Sequence, residues 1–101
     1  MKIYDKIAWQ VDGGIDEKVA INHFEFMFKW LNDNNLLSKQ GKEILSFGLD
    51  GSESISDNDV IVEGSKFLEK YYDRYIGSIE YGIKEDKSLL DSMFMEWKSK
   101  G

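Results

Sequence analysis

The sequence predicts an all-α fold, a single-domain bundle of about four helices with a docked N-terminal segment. Three observations predict it. The chain has 101 residues, the length of one ordinary domain, so residues 1–101 are expected to form a single globular unit. Apolar residues make up 42% of the chain, which is enough for a core although 32% of the residues are charged. The longest segments repeat their apolar residues at helical spacing, and no proline interrupts them.

The N-terminal segment from Ile3 to Val11 contains too few apolar positions to establish a period. It is compatible with a short helix or with an extended arm. Either form needs a large apolar side chain to hold it on the domain, and we expect Trp9 to do so. Asp12-Gly13-Gly14 follows as a turn, because it lacks the spacing and the lysine of a phosphate-binding loop.

The clearest helix is predicted from about Asp16 to Asn34. Asp16 can cap its N-terminus, and Asn34 or Asn35 can adopt the left-handed conformation that stops a helix. More than half of its circumference is apolar or aromatic, so we expect this helix at the centre of the domain. The apolar arc comprises Val19, Ala20, His23, Phe24, Phe26, Met27, Phe28, Trp30 and Leu31.

A shorter helix is predicted from about Ser38 to Leu49. Its inward positions are Ile44, Leu45 and either Phe47 or Leu49. Two glycines inside the segment weaken it, by about 1 kcal/mol each relative to alanine.

The third helix is predicted to open with Ser56 as its cap and Asp59 at the capping-box position. Gly77 is expected to bend or end it. Its inward side is predicted to carry Val60, Gly64, Phe67, Leu68, Tyr71 and Tyr75.

The last part of the chain is predicted to contain a loop and a final helix. Residues 79–83 alternate apolar and polar, so a short strand competes with a continued helix, and a helix followed by a loop is favoured. The final helix is expected to begin near Ser88 and to turn Leu89, Leu90, Met93, Phe94 and Trp97 inward. The residues predicted to meet in one core are Phe24, Met27, Leu31, Phe67, Tyr71, Met93 and Trp97.

Composition excludes several classes of function. Thirteen basic and nineteen acidic residues give a net charge of −6, which argues against nucleic acid as a partner and allows a cationic one. The absence of cysteine rules out disulfides, thiolate metal sites and a cysteine nucleophile. No apolar run has the length of a signal peptide or a membrane span, so we expect a cytoplasmic protein that has no membrane partner.

His23 is the only histidine, so any catalytic triad or histidine metal site has to be built around it. It lies at the edge of the apolar arc of the central helix, which favours a packed histidine with one hydrogen-bond partner. The carboxylates map mostly to polar arcs and loops, which favours a solvated surface over a general acid and base. We therefore expect no enzyme activity, no metal and no cofactor.

The stretch from residue 50 to residue 63 contains five acids and no base. They are Asp50, Glu53, Asp57, Asp59 and Glu63. A calcium loop fails here, because the positions that require glycine and the bidentate glutamate are occupied by apolar residues in the registers that begin at Asp50 or Asp57. Two interpretations remain: a solvated loop with a helix cap, or an acidic patch that binds a basic partner. The second makes these five residues the candidate partner-binding site.

Several short motifs also resemble a known bacterial family of small acidic proteins, classed as a domain of unknown function. They are Tyr4-Asp5 with Ala8-Trp9, the helix from Ala20 to Ser38, the stretch from Glu63 to Tyr75, and Glu96-Trp97-Lys98. Family members typically read Tyr-Asp, then Trp-His, then His-Ile-Gly, and later a Tyr-Tyr pair. This chain differs from that pattern at two positions. Gln10 stands where family members commonly have the histidine of Trp-His, and Glu25 stands where they often have the glycine of His-Ile-Gly.

In its small size, its acidic charge and its likeness to this family, the chain also resembles immunity proteins of secreted bacterial toxin systems. This resemblance implies a protein that binds a cognate, cationic toxin domain, such as a nuclease, and neutralises it by blocking its active or substrate-binding surface. The alternative is a small cytoplasmic protein-interaction module with another partner. A small hydrolase is the third hypothesis. It ranks last because carboxylates would be the only side chains left to catalyse the reaction.

Overall fold

Helices dominate the fold, but a small two-stranded sheet joins the N-terminal segment to the middle of the chain. The computed structural model describes residues 1–100. Within them, five helices make the chain 61% helical, so the predicted all-α bundle of four helices is corrected to a mostly helical domain with a sheet. In chain order the elements are β1 (Ile3–Lys6), α1 (Ile7–Asp12), α2 (Glu17–Asp33), α3 (Lys39–Phe47), β2 (Ser54–Ser56), α4 (Val62–Ile76) and α5 (Lys87–Lys100).

The N-terminal segment adopts both of the expected forms in succession, a strand and then a short helix. β1 pairs antiparallel with β2, with Ile3 opposite Ser56 and Lys6 opposite Ser54. Strand β1 had no sequence signal of its own, because its partner strand is only three residues long and lies far away in the chain.

The expectation that Trp9 docks this segment was wrong. Its side chain is 51% exposed, and the ammonium group of Lys6 lies 5.8 Å from its ring. Ile7, at the start of α1, is fully buried instead. Residues two positions apart point to different sides of a helix, so burial of Ile7 leaves Trp9 facing outward.

α2 is the central helix, as predicted. The Asp16 carboxylate caps it by accepting a hydrogen bond from the N–H of Lys18 at 2.9 Å. Asn35, just beyond its end, has a φ of 59°, the left-handed conformation expected there. The buried residues of α2 are Ala20, His23, Phe24, Met27, Phe28, Trp30 and Leu31.

α3 begins where it was predicted to begin, and the Ser38 hydroxyl caps it by accepting a hydrogen bond from the N–H of Gly41 at 3.2 Å. Of the two alternatives for its last inward position, Leu49 packs against the core. Phe47 is 89% exposed. The helix ends at Phe47, before Leu49, so the two side chains no longer follow a common helical period.

α4 begins later than predicted. Ser56 belongs to β2, and the residue that precedes the first turn of α4 is Ile61, which provides no side-chain cap. Asp59 still bonds to Ser56, but this contact closes the turn after β2 rather than the start of a helix. Pairing with β1 draws Ser56 into the sheet, and a local sequence pattern does not encode that pairing. Gly77 follows the last residue of α4, as expected.

The predicted core forms between α2, α4 and α5. Six of its seven predicted residues are at most 3% exposed, and the seventh, Trp97, packs partly buried against them. Phe67 of α4 lies in the middle, with its ring centroid 5.5 Å from that of Trp30 and 5.3 Å from that of Phe94. Among residues 1–100, no helix combines the length and the apolar character needed to cross a membrane.

Residues 77–86, which we call the strap, connect α4 to α5 as a loop, in agreement with the favoured interpretation. One isolated bridge, between Glu80 and Lys84, is its only strand-like pairing. Gly82 has a φ of +70°, and a Cβ atom at this position would overlap the carbonyl oxygen of Val19 in α2. The strap can lie this close to α2 because glycine has no side chain.

Candidate functional site

The five carboxylates predicted to bind a partner do not share one surface. Glu63, in the first turn of α4, lies 4.0 Å from the ammonium group of Lys98 on α5. Asp57 lies beside the start of the chain, where it accepts a hydrogen bond from the main-chain N–H of Lys2 at 3.1 Å. The nearest groups of the chain to these two carboxylates thus belong to α5 and to the N-terminus, and the other oxygen of Asp57, Oδ1, is buried without a hydrogen-bond partner.

Asp59 occupies a structural position, because only 2% of it is exposed. Its Oδ2 accepts hydrogen bonds from the N–H and the hydroxyl of Ser56, at 2.9 and 3.0 Å, and its Oδ1 accepts one from the side-chain amide of Gln40 at 2.8 Å. Its carbonyl oxygen approaches α3 so closely that a Cβ atom on Gly41 would overlap it. Asp59 thus joins the end of β2 to α3 and presents no carboxylate to a partner.

The two remaining carboxylates, Asp50 and Glu53, cluster with Glu17, which the sequence pattern did not indicate. The Glu53 carboxylate folds back and accepts hydrogen bonds from the N–H groups of Asp50 and Gly51, at 3.1 and 3.0 Å. Glu17, in the first turn of α2, points to the same glycine: a Cβ atom on Gly51 would lie 3.1 Å from its carboxyl carbon. We call Glu17, Asp50 and Glu53 the acidic end.

Among residues 1–100, no lysine or arginine forms an ion pair with the acidic end. The lysine and arginine ion pairs within residues 1–100 all involve other acids. The side chain and the N–H of Ser52 donate hydrogen bonds to Asp50 and hold the pKa of its carboxyl group below the ordinary value, so Asp50 is ionised at neutral pH. Neighbouring negative charges repel one another, and a cationic surface would relieve that repulsion.

Two exposed aromatic side chains, Phe47 and Trp9, lie on segments that are joined to the acidic end. Phe47, three residues before Asp50, is 89% exposed at the last position of α3. Trp9, which is half exposed, lies on α1, and the first N–H of that helix donates to the carbonyl oxygen of Glu53 at 3.2 Å. Large aromatic side chains beside charged groups are typical of protein-binding surfaces.

A second cluster lies inside the domain, around His23. The ring is fully buried and has two polar partners instead of the expected one. Its Nε2 lies 2.8 Å from the hydroxyl oxygen of Tyr72, and its Nδ1 lies 2.8 Å from Oε2 of Glu85. The ring of Tyr81 stacks on it, with 4.0 Å between centroids. Helix α2 therefore holds the histidine between α4 and the strap.

Asp5 of β1 is a buried acid, contrary to the expectation that the carboxylates lie on the surface. It is 2% exposed, and its Oδ2 accepts hydrogen bonds from the hydroxyls of Tyr72 and Tyr81, at 2.5 and 2.8 Å. Its Oδ1 accepts hydrogen bonds from the N–H of Lys6 and the side-chain amide of Gln10, at 2.8 and 3.0 Å. The Gln10 side chain thus supports the Asp5 carboxylate from α1.

Glu85 connects the strap to this cluster, although only 12% of its side chain is exposed. Its Oε1 accepts a hydrogen bond from the Tyr75 hydroxyl at 2.9 Å, and its Oε2 accepts one from the N–H of Gly82 at 2.8 Å. No sequence signal distinguishes Glu85 from other acids, because its partners come from distant elements. The buried polar network comprises Asp5, His23, Tyr72, Tyr75, Tyr81 and Glu85.

Burial raises the pKa of the three phenol groups in the buried polar network. For Tyr72 and Tyr81 burial is the largest cause, and the negative charge of Asp5 adds to it. For Tyr75 burial is again the largest cause, and Glu85 adds to it. The three hydroxyls therefore remain protonated at neutral pH and act as hydrogen-bond donors to the two carboxylates.

The His23 ring of the buried polar network is closed to solvent. His23 is fully buried, and protein groups occupy both of its ring nitrogens. An open cleft of about 850 Å³ is lined by residues of the strap, and Glu85 is the one member of the network among them. Among residues 1–100, no three histidine, aspartate or glutamate side chains are arranged to hold a metal ion. What this arrangement can do is hold β1, α2, α4 and the strap together.

Three residues from the motifs that resemble the bacterial family meet in the buried polar network. They are Asp5 of the Tyr-Asp motif, His23 of α2 and Tyr72 of the Tyr-Tyr pair. These motifs therefore include the polar contacts that connect the N-terminal strand to the helices. In comparisons with known proteins, no protein-family model, no curated protein and no solved structure matches this chain.

Proposed function

We propose that this chain is an immunity protein, which binds a cationic bacterial toxin domain and neutralises it without catalysing a reaction. The observation that carries the proposal is the acidic end: Glu17, Asp50 and Glu53 lie together, and no lysine or arginine among residues 1–100 forms an ion pair with them. The exposed ring of Phe47 lies three residues before Asp50 in the chain. The proposed mechanism is occlusion, in which the acidic end covers the active or substrate-binding surface of the toxin.

Charge complementarity supports this mechanism. A nuclease has a cationic cleft for phosphate groups, and an inhibitor that presents carboxylates can occupy the place of those phosphates. The net charge of the chain is −6, so the field of the whole molecule also attracts a cationic partner. Such steering accelerates association by about 10- to 1,000-fold, and added salt weakens it.

Two of the three carboxylates of the acidic end, those of Asp50 and Glu53, are held in place before a partner arrives. Main-chain N–H groups hold the Glu53 carboxylate, the Ser52 hydroxyl holds Asp50 at 2.6 Å, and Glu17 extends from the first turn of α2. Side chains that are already ordered lose less conformational entropy on binding. Phe47 would supply apolar contact area beside these charges.

The proposal is tested by co-expressing this chain with the protein encoded by the adjacent gene. We expect the two proteins to co-purify, and the chain to restore growth of cells that the neighbouring protein would otherwise inhibit. A folded chain that neither binds the neighbouring protein nor protects the cells would contradict an immunity function.

The role of the acidic end is tested with a triple variant, Glu17→Gln, Asp50→Asn and Glu53→Gln. Its matched control, Asp33→Asn, Asp73→Asn and Glu80→Gln, removes the same number of charges from exposed positions elsewhere. We expect association with the partner at low salt to slow by about tenfold or more in the first variant, and by less in the control. Equal rates for the two variants would place the binding surface elsewhere.

A further inference from the structure

A groove of about 380 Å³ lies between α4 and α5, outside both the buried polar network and the acidic end. It is lined by Glu63 and Lys66 of α4 and by Trp97 and Lys98 of α5, and we call it the basic groove. We propose that the basic groove binds the end of α3 from a second copy of this chain, so that copies of the protein associate head to tail.

The indole ring of Trp97 gives the basic groove a rigid apolar wall. Two core rings pack against it, with centroids 5.7 Å away for Phe67 and 6.0 Å away for Phe94. Trp97 is nevertheless only partly buried, and the remainder of its surface faces the groove. An indole ring held in this way loses little conformational entropy when a partner covers it, and tryptophan is enriched among the residues that contribute most to protein interfaces.

Two exposed lysines make the groove positively charged. Within residues 1–100, Lys66 forms no ion pair, and Lys98 reaches a single acid, Glu63, at 4.0 Å. The groove therefore holds two cations and one carboxylate. A carboxylate from another molecule would supply the opposite charge that Lys66 lacks.

The distribution of charge along the chain favours a second copy as that molecule. Helices α4 and α5 carry six basic and five acidic residues, whereas the rest of the chain carries seven basic and fourteen acidic ones. The helix pair is slightly positive and the remainder is strongly negative. At short range, the helix pair of one copy therefore attracts the remainder of another.

The end of α3 presents an apolar group that fits such a groove. Phe47, the last residue of α3, is 89% exposed, so it does not occupy the basic groove of its own chain. Apart from its chain neighbours, a Cβ atom on Gly48, the next residue, would meet no atom within 4 Å. No other segment of the fold covers this position, so the Phe47 ring is free to enter the groove of another copy.

Carboxylates flank Phe47 on both sides in the chain. Glu43 precedes it by four positions, which places both side chains on one face of α3, and Asp50 follows it by three. Neither acid forms an ion pair with a lysine or arginine among residues 1–100. The C-terminal end of a helix adds partial negative charge. A ring between carboxylates thus meets an indole between lysines, and the two acids face the two lysines.

The two surfaces differ, so the contact is heterologous, and each pair of copies keeps one free groove and one free α3 end. Each copy has a net charge of −6, and the resulting repulsion opposes association at low salt. Salt at about 0.15 M limits that repulsion to about 8 Å, so that the direct contacts decide the outcome. The proposal does not rest on the immunity function, because this assembly needs no second protein.

Self-association is tested by analytical ultracentrifugation of the unmodified chain at about 0.15 M salt, over concentrations up to about 1 mM. We expect the average mass to rise above that of one chain as the concentration increases. A species with the mass of one chain over the whole range would overturn the proposal.

Two variants separate the two surfaces. Phe47→Ser removes the ring and keeps the groove, and the double variant Lys66→Glu, Lys98→Glu reverses the charge of the groove and keeps the ring. These side chains are exposed, so we expect both variants to fold. Lys66→Glu alone replaces the double variant if the latter does not fold. We expect each variant to self-associate more weakly than the unmodified chain, by about tenfold or more.

Matched controls change exposed residues of the same types elsewhere. They are Ile83→Ser for the ring, and Lys29→Glu with Lys84→Glu for the lysines. We expect the controls to self-associate as the unmodified chain does. Equal losses in variants and controls would contradict the assignment of these two surfaces.

A mixture of the two variants tests the head-to-tail contact directly. Phe47→Ser contributes an intact groove and the lysine variant contributes an intact α3 end, so one contact can form and no further copy can add. We expect a complex of one chain of each variant. Absence of this complex, or self-association of either variant alone at the strength of the unmodified chain, would overturn the proposal.

Discussion

The hydroxyl of Tyr72 donates a hydrogen bond of 2.5 Å to Asp5, although the two residues are 67 positions apart in the chain. This contact joins α4 to β1 inside the domain, where both residues are 2% exposed. This hydroxyl donates to a buried carboxylate and accepts from a buried histidine. The surrounding apolar side chains have no group that could replace it in either hydrogen bond.

We predict that Tyr72→Phe destabilises the protein by about 1 to 3 kcal/mol, because it removes a donor from Asp5 and an acceptor from His23. The matched control is Tyr71→Phe, which removes a hydroxyl that bonds to Glu96, a residue near the surface. Urea unfolding of both variants checks the prediction. A loss of stability as small as that of Tyr71→Phe would mean that the inner contact contributes little.

Stability is predicted to fall as the pH rises above about 10, the pKa of tyrosine in an unfolded chain. Burial and nearby carboxylates raise the pKa of Tyr72, Tyr75 and Tyr81 in the folded state. Groups of this kind contribute stability that is fully present below the unfolded pKa and is lost as the pH rises toward the folded pKa.

The control for this pH dependence is Tyr81→Phe. Above about pH 10 we expect stability to decline less steeply in this variant, by up to about 1.4 kcal/mol per pH unit, because one fewer phenol ionises on unfolding. Urea titrations between pH 8 and pH 11, about the range of tyrosine and lysine ionisation, check it. If stability declined equally with pH in Tyr81→Phe and in the unmodified protein, ionisation of lysines would be the cause instead.

Leu31→Ala is predicted to cost about 2 to 5 kcal/mol, because Leu31 is a fully buried residue of the central helix and its removal leaves a cavity. Its exposed neighbour serves as the control: Asn32→Ala should change stability by no more than about 0.5 kcal/mol. A small loss for Leu31→Ala in urea titration would be inconsistent with its place in the core.

Asp59→Asn is predicted to lower stability by about 1 to 3 kcal/mol, since an amide nitrogen cannot accept the hydrogen bonds that Ser56 and Gln40 donate. The exposed Asp50 provides the comparison, because Asp50→Asn changes the same charge outside the core. Thermal unfolding of the two variants should separate them. Equal unfolding temperatures would mean that the hydrogen bonds of Asp59 stabilise the fold no more than those of an exposed acid.

Phe47→Ser is predicted to weaken partner binding while leaving the free energy of unfolding within about 0.5 kcal/mol of the original value, because the side chain is almost fully exposed. Ile83→Ser, an exposed apolar residue of the strap, is the control for binding. Titration of each variant with the co-purified partner measures the effect. Unaltered affinity for Phe47→Ser would remove this ring from the proposed surface.

The sequence by itself determined the central helix, its cap at Asp16 and its stop at Asn35. It also determined most of the core, which includes Phe67 and Met93. These features depend on residues that are close in the chain: apolar side chains three and four positions apart share a face of a helix, and a cap bonds within the first turn. Periodicity and capping residues are therefore sufficient to predict them.

Only the tertiary structure decided which acidic side chains are buried and which groups they bond to. Asp5, Asp59 and Glu85 resemble Asp50 and Glu53 in sequence. The structure nevertheless buries Asp5 and Asp59 almost completely and leaves little of Glu85 exposed, whereas Asp50 is exposed and Glu53 is partly exposed. A carboxylate can be buried only where donors compensate the water that it loses. The donors to Asp5 include phenol groups more than sixty residues away, which the folded chain brings within hydrogen-bond distance. No local sequence pattern encodes that meeting, so the sheet, the buried polar network and the acidic end become visible only in the folded chain.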